Sequence, residues 1–236
     1  KSIPVGFCGM LNDKNLSLFP QLTVLDASNN IAISDTSVGK LTQLTALDAS
    51  GNDNITDASI AKLTKLTELY AICNSKITDN SVGLLTQITT LGTYIDSNIT
   101  DTSVAKLTKL KSLYARSNHK ITDASVGLLA QLTDLDASNN PYITDVSVAL
   151  LKQLTELDAS GDSNISDASV SLLSRLTSLD AAGNLKITDS SVSKLTQLTV
   201  LDASNNPKIT DTSVALLTRL TDLNVISNAN ITIEIK

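Results

Sequence analysis

The chain has 236 residues, of which 42 % are apolar and only 3 % aromatic, with a net charge of −6 at pH 7 and a pI near 4.7. An acidic body of this kind disfavours the phosphate backbone of nucleic acids and favours neutral or basic partners. No stretch approaches the roughly 18 consecutive apolar residues of a membrane span, so no insertion of this segment into a bilayer is expected.

In chain order, Lys1 to Val5 carry no signal-peptide pattern and are already repeat-like. Ile3, Val5 and Cys8 fall on the fourth, sixth and ninth positions of a unit that becomes regular at Leu22, so the chain is expected to start inside a repeat. Leu11, Leu16, Leu18 and Phe19 would continue the second half of that unit. From Leu22 a 22-residue unit restarts without insertion or deletion at Leu44, Leu66, Ile88, Leu110, Leu132, Leu154, Leu176, Leu198 and Leu220. Periodicity this strict predicts a solenoid whose units bury their apolar faces against one another. The expected organisation is one solenoid over 1–236: a partial repeat 1–21, nine complete repeats 22–219 and a partial repeat 220–236.

Within a unit numbered from Leu22, positions four and six are apolar around a polar residue, as in Leu25-Asp26-Ala27, which is the alternation of a half-buried strand. The Asn at position nine, for example Asn52 or Asn140, sits where the chain must turn, and its amide can bond backbone groups of neighbouring repeats. Asp96 and Asp162 replace it in two copies. The following Ile-Thr-Asp-x-Ser-Val-x-x-Leu predicts one or two helical turns, with Asp35, Asp57, Asp79 and their equivalents as N-caps. At the far end, Ile231-Thr232-Ile233-Glu234-Ile235 loses the Asp and reads as an alternating strand.

This wording resembles the leucine-rich-repeat family, whose Leu-x-x-Leu-x-Leu-x-x-Asn pattern is met by Leu198, Leu201 and Asn206. The 22-residue length is similar to that of bacterial internalin-type repeats, and the Ile-Thr-Asp-x-Ser-Val-x-x-Leu segment to cysteine-containing repeats. The chain departs from both at position six, where Ala replaces Leu in Ala27, Ala49 and most later copies, implying a thinner interior. The resemblance implies an α/β fold: a right-handed leucine-rich-repeat solenoid with a parallel concave β-sheet and short helical turns on the convex side. It also implies a recognition scaffold for a protein or peptide, in the manner of a bacterial adhesion or host-interaction factor. Secreted or cell-surface placement is favoured on that ground over a cytoplasmic one.

The copies differ most at positions three to eight. Position five reads Asp26, Asp48, Tyr70, Gly92, Tyr114, Asp136, Asp158, Asp180, Asp202 and Asn224, so Asp is lost in three consecutive copies. There position seven becomes Ile72, Tyr94 and Arg116. If these positions face solvent from the sheet, Tyr70, Ile72, Tyr94, Tyr114 and Arg116, with Glu68, form a candidate hot spot, since aromatic residues and Arg give large contact area at modest entropic cost. Drift of a relaxed central copy, degenerate at Gly92, Thr93 and Asp96, is the competing reading. Flanking acids, among them Asp134, Asp136, Glu156 and Asp158, suggest a basic partner, although Asp is also simply the repeat's solvent-facing consensus residue. Cation binding along this ladder is disfavoured because calcium needs six to eight oxygens. The threonines at position two, such as Thr45 and Thr67, read as solubilising residues rather than an ice- or crystal-binding array.

An enzyme is not expected. His119 is the sole histidine, no phosphate-cradling glycine loop or Cys/His metal cluster is present, and so no cofactor is expected either. Cys8 and Cys73 lie three units apart, too far for a disulfide. Two rival readings stay open: a structural stack that self-associates end to end, and the substrate-recognition domain of a larger enzyme.

Overall fold

A computed structural model describes residues 11–95 and 97–233. The expectations for Ile3, Val5, Cys8, Asp96, Glu234 and Ile235 therefore fall outside the described residues. Two compact units are present, residues 1–112 and 113–236.

The first unit carries the strands β1 (Val24–Asp26), β2 (Ala46–Asp48), β3 (Glu68–Tyr70) and β4 (Thr90–Gly92), paired in parallel and in chain order, with Leu25, Leu47, Leu69 and Leu91 in register. The second carries β6 (Asp134–Asp136), β7 (Glu156–Asp158), β8 (Ser178–Asp180), β9 (Val200–Asp202) and β10 (Asp222–Asn224), paired in the same way. The boundary falls inside β5 (Ser112–Tyr114). Each strand is followed by a turn and a four-residue helix, such as Asp57–Ile60 or Asp145–Val148. This is the α/β architecture of a leucine-rich-repeat solenoid, with a parallel strand layer and short helices on the other side.

The core is a set of aliphatic columns. The Leu at positions one and four, the Ala at six, the Ile at twelve, the Val or Ile at seventeen and the Leu at twenty are almost wholly buried through the interior copies. Ala27, Ala49, Ala71, Ala137 and Ala159 are fully buried, so the small residue at position six is a packed core position. Among the residues expected to continue the first partial repeat, Leu11 and Leu16 are buried but Leu18 is 73 % exposed. Leu18 occupies position nineteen, which also leaves Leu84, Leu128 and Leu150 in solvent.

Between these columns run ladders of hydrogen bonds with a one-repeat step. Asn52 Nδ2 donates to the carbonyls of Ala27, Asn30 and Ile33, and its Oδ1 accepts from Asn54 N–H. Asn74, Asn140, Asn206 and Asn228 repeat the arrangement, as the position-nine amides were expected to do. Where Asn is absent, a buried serine at position ten makes a bond within its own repeat: the Oγ of Ser97 and Ser163 accepts the N–H of Ile99 and Ile165. The position-two threonines form another ladder, since Thr45 Oγ1 donates to Thr23 O and Thr67 Oγ1 to Thr45 O. Their hydroxyls brace adjacent strands, which corrects the reading of them as merely solubilising.

The aspartates before the helices are not N-caps. The cap is the preceding Ser or Thr, so that Thr56 Oγ1 accepts from Ala58 N–H and Asp57 is the first helical residue. Its carboxylate reaches the next repeat instead, accepting from Thr78 N–H at 2.8 Å, Thr78 Oγ1 at 2.6 Å and Ser81 Oγ. Burial pushes the Asp57 carboxyl up, but these donors outweigh it and hold it below its ordinary value. A carboxyl depressed on folding adds stability above 3.8, the unfolded value, and that contribution is lost as pH falls through the lower folded value. Asp57→Asn is therefore expected to cost roughly 1–2 kcal/mol at pH 7, given its partial exposure, with the deficit in denaturant titrations shrinking only once the pH falls below 3.8.

The same bond corrects the far end. Thr232 N–H and Oγ1 donate to Asp211, as the cap threonines do in interior repeats, so residues 231–233 continue the repeat instead of forming a strand.

Candidate functional site

Positions three and five of each strand lie on the face opposite the core. They are less exposed than simple alternation suggests: Glu68 and Glu156 are exposed, whereas Tyr70, Tyr114, Asp134, Asp136 and Asp158 are half-buried. The position-five Asp has a local task. Its Oδ1 accepts from the N–H two residues on, as in Asp48 to Ser50, Asp136 to Ser138, Asp158 to Ser160 and Asp202 to Ser204. This Asx-type turn leads into position eight, where the backbone is left-handed: φ is 51° at Asn139 and 67° at Gly161. Cys73 and Ser117 adopt the same conformation at 53°. Ile95, whose β-branch makes it costly, does not, and there Ser97 N–H donates to Tyr94 O instead.

Of the sequence-derived candidates, Glu68, Tyr70, Ile72 and Tyr94 belong to the first unit. Tyr70 is seated on the backbone of Gly92, where a Cβ would lie 2.4 Å from its ring Cδ1. Gly92 is therefore not a degenerate copy of Asp but the space the neighbouring ring occupies, a role legible only once the register Tyr70–Gly92 is known. Gly92→Ala is expected to displace the ring and cost about 1–3 kcal/mol, checked by denaturant unfolding and by nuclear Overhauser contacts between the ring and residue 92. Tyr70 also walls a shallow depression of about 200 Å³ with Asp26, Asp48 and Glu68. Ile72 is half-buried, its N–H donating to Ser50 Oγ at 3.3 Å, and Tyr94 is half-buried in the altered turn.

Tyr114, Arg116, Asp134, Asp136, Glu156 and Asp158 belong to the second unit. Tyr114 Oη donates to Asp134 Oδ2 at 2.5 Å, and Arg116 is exposed. A second shallow depression, about 210 Å³, is lined by Tyr114, Asp134, Asp136, Glu156, Asp158, Ser178 and Asp180. The register puts Asp136, Asp158, Asp180 and Asp202 side by side on successive strands. Burial first, then the charges of Asp158, Asp202 and Asp136, push the Asp180 carboxyl up to about 6, although Ala182 N–H donates to it. Burial raises Asp136 as well, with Asp158 adding to it against hydrogen bonds from Ser138 and the charge of Arg116. Asn224 ends the ladder and donates from Nδ2 to Asp202 Oδ2 at 2.8 Å.

Away from this face, His119 packs edge-on against Tyr142 with ring centroids 5.5 Å apart, in the second unit's turns. Cys73 is a free, exposed thiol. Among the described residues no cluster of three His, Cys, Asp or Glu side chains is arranged to hold a metal ion, and no helix is long and apolar enough to cross a membrane.

No protein-family model and no curated protein sequence matches the chain. Solved structures do. An internalin, InlF, of Listeria monocytogenes is 28 % identical, with a TM-score of 0.68 over 95 % of this chain and 65 % of its own, so the chain spans just under two thirds of that protein. Internalin C2 of the same organism is 26 % identical over 91 % of this chain and 84 % of its own, with a TM-score of 0.49. A chain of the yeast Rad7–Elc1 complex is 19 % identical over 92 % and 73 %, with a TM-score of 0.56. The fold defines the class: a leucine-rich-repeat solenoid, internalin-like in architecture.

Proposed function

We propose that the chain is a non-enzymatic recognition module that binds a protein or peptide through its strand face. Glu68, Tyr70, Ile72 and Tyr94 serve in the first unit, and Tyr114, Arg116, Asp134, Asp136, Glu156 and Asp158 in the second. One observation carries the reading: the two tyrosines that replace the turn-forming Asp are each held in place, Tyr70 on Gly92 and Tyr114 by Asp134. Undirected drift supplies no matching partner for a new side chain, and aromatic rings held rigid lose little entropy on binding. The likeness to InlF supports a bacterial adhesion or host-interaction role, and the acidic residues beside both tyrosines support a partner with basic character.

The test is selection of ligands for the wild-type chain from a random-peptide display library, followed by affinity measurement on Tyr70→Ala and Tyr114→Ala. A loss of at least about tenfold in one or both variants, corresponding to roughly 1.4 kcal/mol, is expected. Selected peptides that bind both variants as tightly as the parent would move the site off this face.

A further inference from the structure

We propose that the depression of the second unit is a seat for one arginine side chain of a basic peptide, with the guanidinium against the Tyr114 ring and between carboxylates of adjacent strands. This rests on the strand-face reading and names the group the face recognises.

Three observations converge on a guanidinium. First, the depression joins an aromatic wall to carboxylates: Tyr114 lies on one side and Asp134, Asp136, Glu156, Asp158 and Asp180 around it. A planar, delocalised cation satisfies both surfaces, stacking on the ring while its fork of donors meets the carboxylates. Second, the carboxylates are paired by register, Asp134 with Glu156 and Asp136 with Asp158. Neighbouring strands stand about 4.8 Å apart, a span that one guanidinium can bridge by donating to both sides, whereas a compact ammonium meets them as a point charge. Third, Tyr114 is not free to fold down and fill the space, because its hydroxyl is committed to Asp134. The first unit repeats the combination, with Tyr70 beside Asp26, Asp48 and Glu68. An aromatic wall against stacked acids thus occurs in both units, which a solubilising consensus letter does not explain. Half-buried like charges on adjacent strands repel one another, and a cation between them relieves that repulsion.

The probe is N-acetyl-arginine methylamide, followed by NMR of the whole chain in low salt, with the lysine and citrulline analogues as controls. Saturable shifts are expected at the Tyr114 ring and at the carboxyl carbons of Asp134, Asp136, Glu156 and Asp158, with half-saturation in the millimolar range fitting a single small contact. The citrulline analogue, which keeps the shape without the charge, is expected to produce at most a tenth of the response. Glu156→Gln and Tyr114→Leu should each weaken the arginine response severalfold, and Glu156 is exposed, so its replacement leaves the fold intact. Shifts of equal size at the helix-side aspartates, or an equal response to citrulline, would overturn the proposal. If no strand-face resonance moves while library-selected peptides still depend on Tyr70 or Tyr114, the arginine seat fails and the recognition reading stands. If those peptides also ignore the tyrosines, both fail.

Discussion

Asn140→Ala will lower the unfolding free energy of the chain by about 3–5 kcal/mol, whereas Asn164→Ala will change it by no more than about 1 kcal/mol. Both residues donate from Nδ2 to backbone carbonyls of the preceding repeat. Asn140 is fully buried and serves the carbonyls of Ala115, Asn118 and Ile121 at 3.3, 2.9 and 3.1 Å, while its Oδ1 accepts from Tyr142 N–H at 3.0 Å. Alanine leaves these groups without partners in a place water does not reach, and each orphaned group costs about 1–3 kcal/mol. Asn164 is exposed and serves Pro141 O, where water substitutes at little cost. Because the repeats are stabilised by their neighbours, the damage in Asn140→Ala is expected to concentrate around the repeats it joins, seen as lost amide-exchange protection near Asn118 and Ile121. Equal effects of the two substitutions would contradict this account of the interior.

Asp180→Asn is expected to act in the opposite direction, raising stability at pH 7 and leaving it unchanged near pH 4. The folded carboxyl titrates at about 6, above the unfolded value of 3.8, so the folded chain holds this proton more tightly than the unfolded one. Stability therefore declines as pH rises from 3.8 through 6, and the full penalty is present above that range. Since the side chain keeps part of its water, the penalty at pH 7 is discounted to roughly 1–2 kcal/mol, or a few degrees in Tm. Asparagine fits the position: Asn224 occupies its equivalent, accepts from Ile226 N–H and donates to Asp202. Thermal unfolding of parent and variant across this pH range checks it. A variant less stable than the parent at pH 7 would show that the ladder is not under tension. Natural sequences often give up stability at sites that must bind, and a carboxylate row that asparagine would stabilise is a feature of that kind.

Much of the fold is legible in the sequence because every repeat restates it. Leu at positions one and four, Ile at twelve and Asn at nine show their roles through spacing alone. What the sequence conceals is which neighbour a polar side chain reaches. Asp57 looks like a helix cap because it sits one residue from the true cap, and only the one-repeat step of its bonds to Thr78 and Ser81 shows that it joins units. Gly92 looks like a decayed Asp for a similar reason, since its meaning lies in a ring one strand away. The tyrosines stand out in their columns, but the Tyr114–Asp134 bond and the depression beside it depend on register and strand spacing. A signal was available for the turn: in the copies from Leu22 onward, position eight holds only Asn, Gly, Ser or Cys except at Ile95, the pattern of a left-handed backbone.

In the proposed arginine seat, the strand face of the second unit keeps half-buried carboxylates charged against their own repulsion so that they can meet a cation. Carboxyl-carbon NMR titration of Asp180, with and without saturating N-acetyl-arginine methylamide, measures this directly. The expected result is a midpoint near 6 for Asp180 in the free chain and a clear downward displacement when the arginine derivative is bound. An ordinary carboxyl titration of Asp180 near the unfolded value of 3.8, unmoved by the ligand, would contradict it.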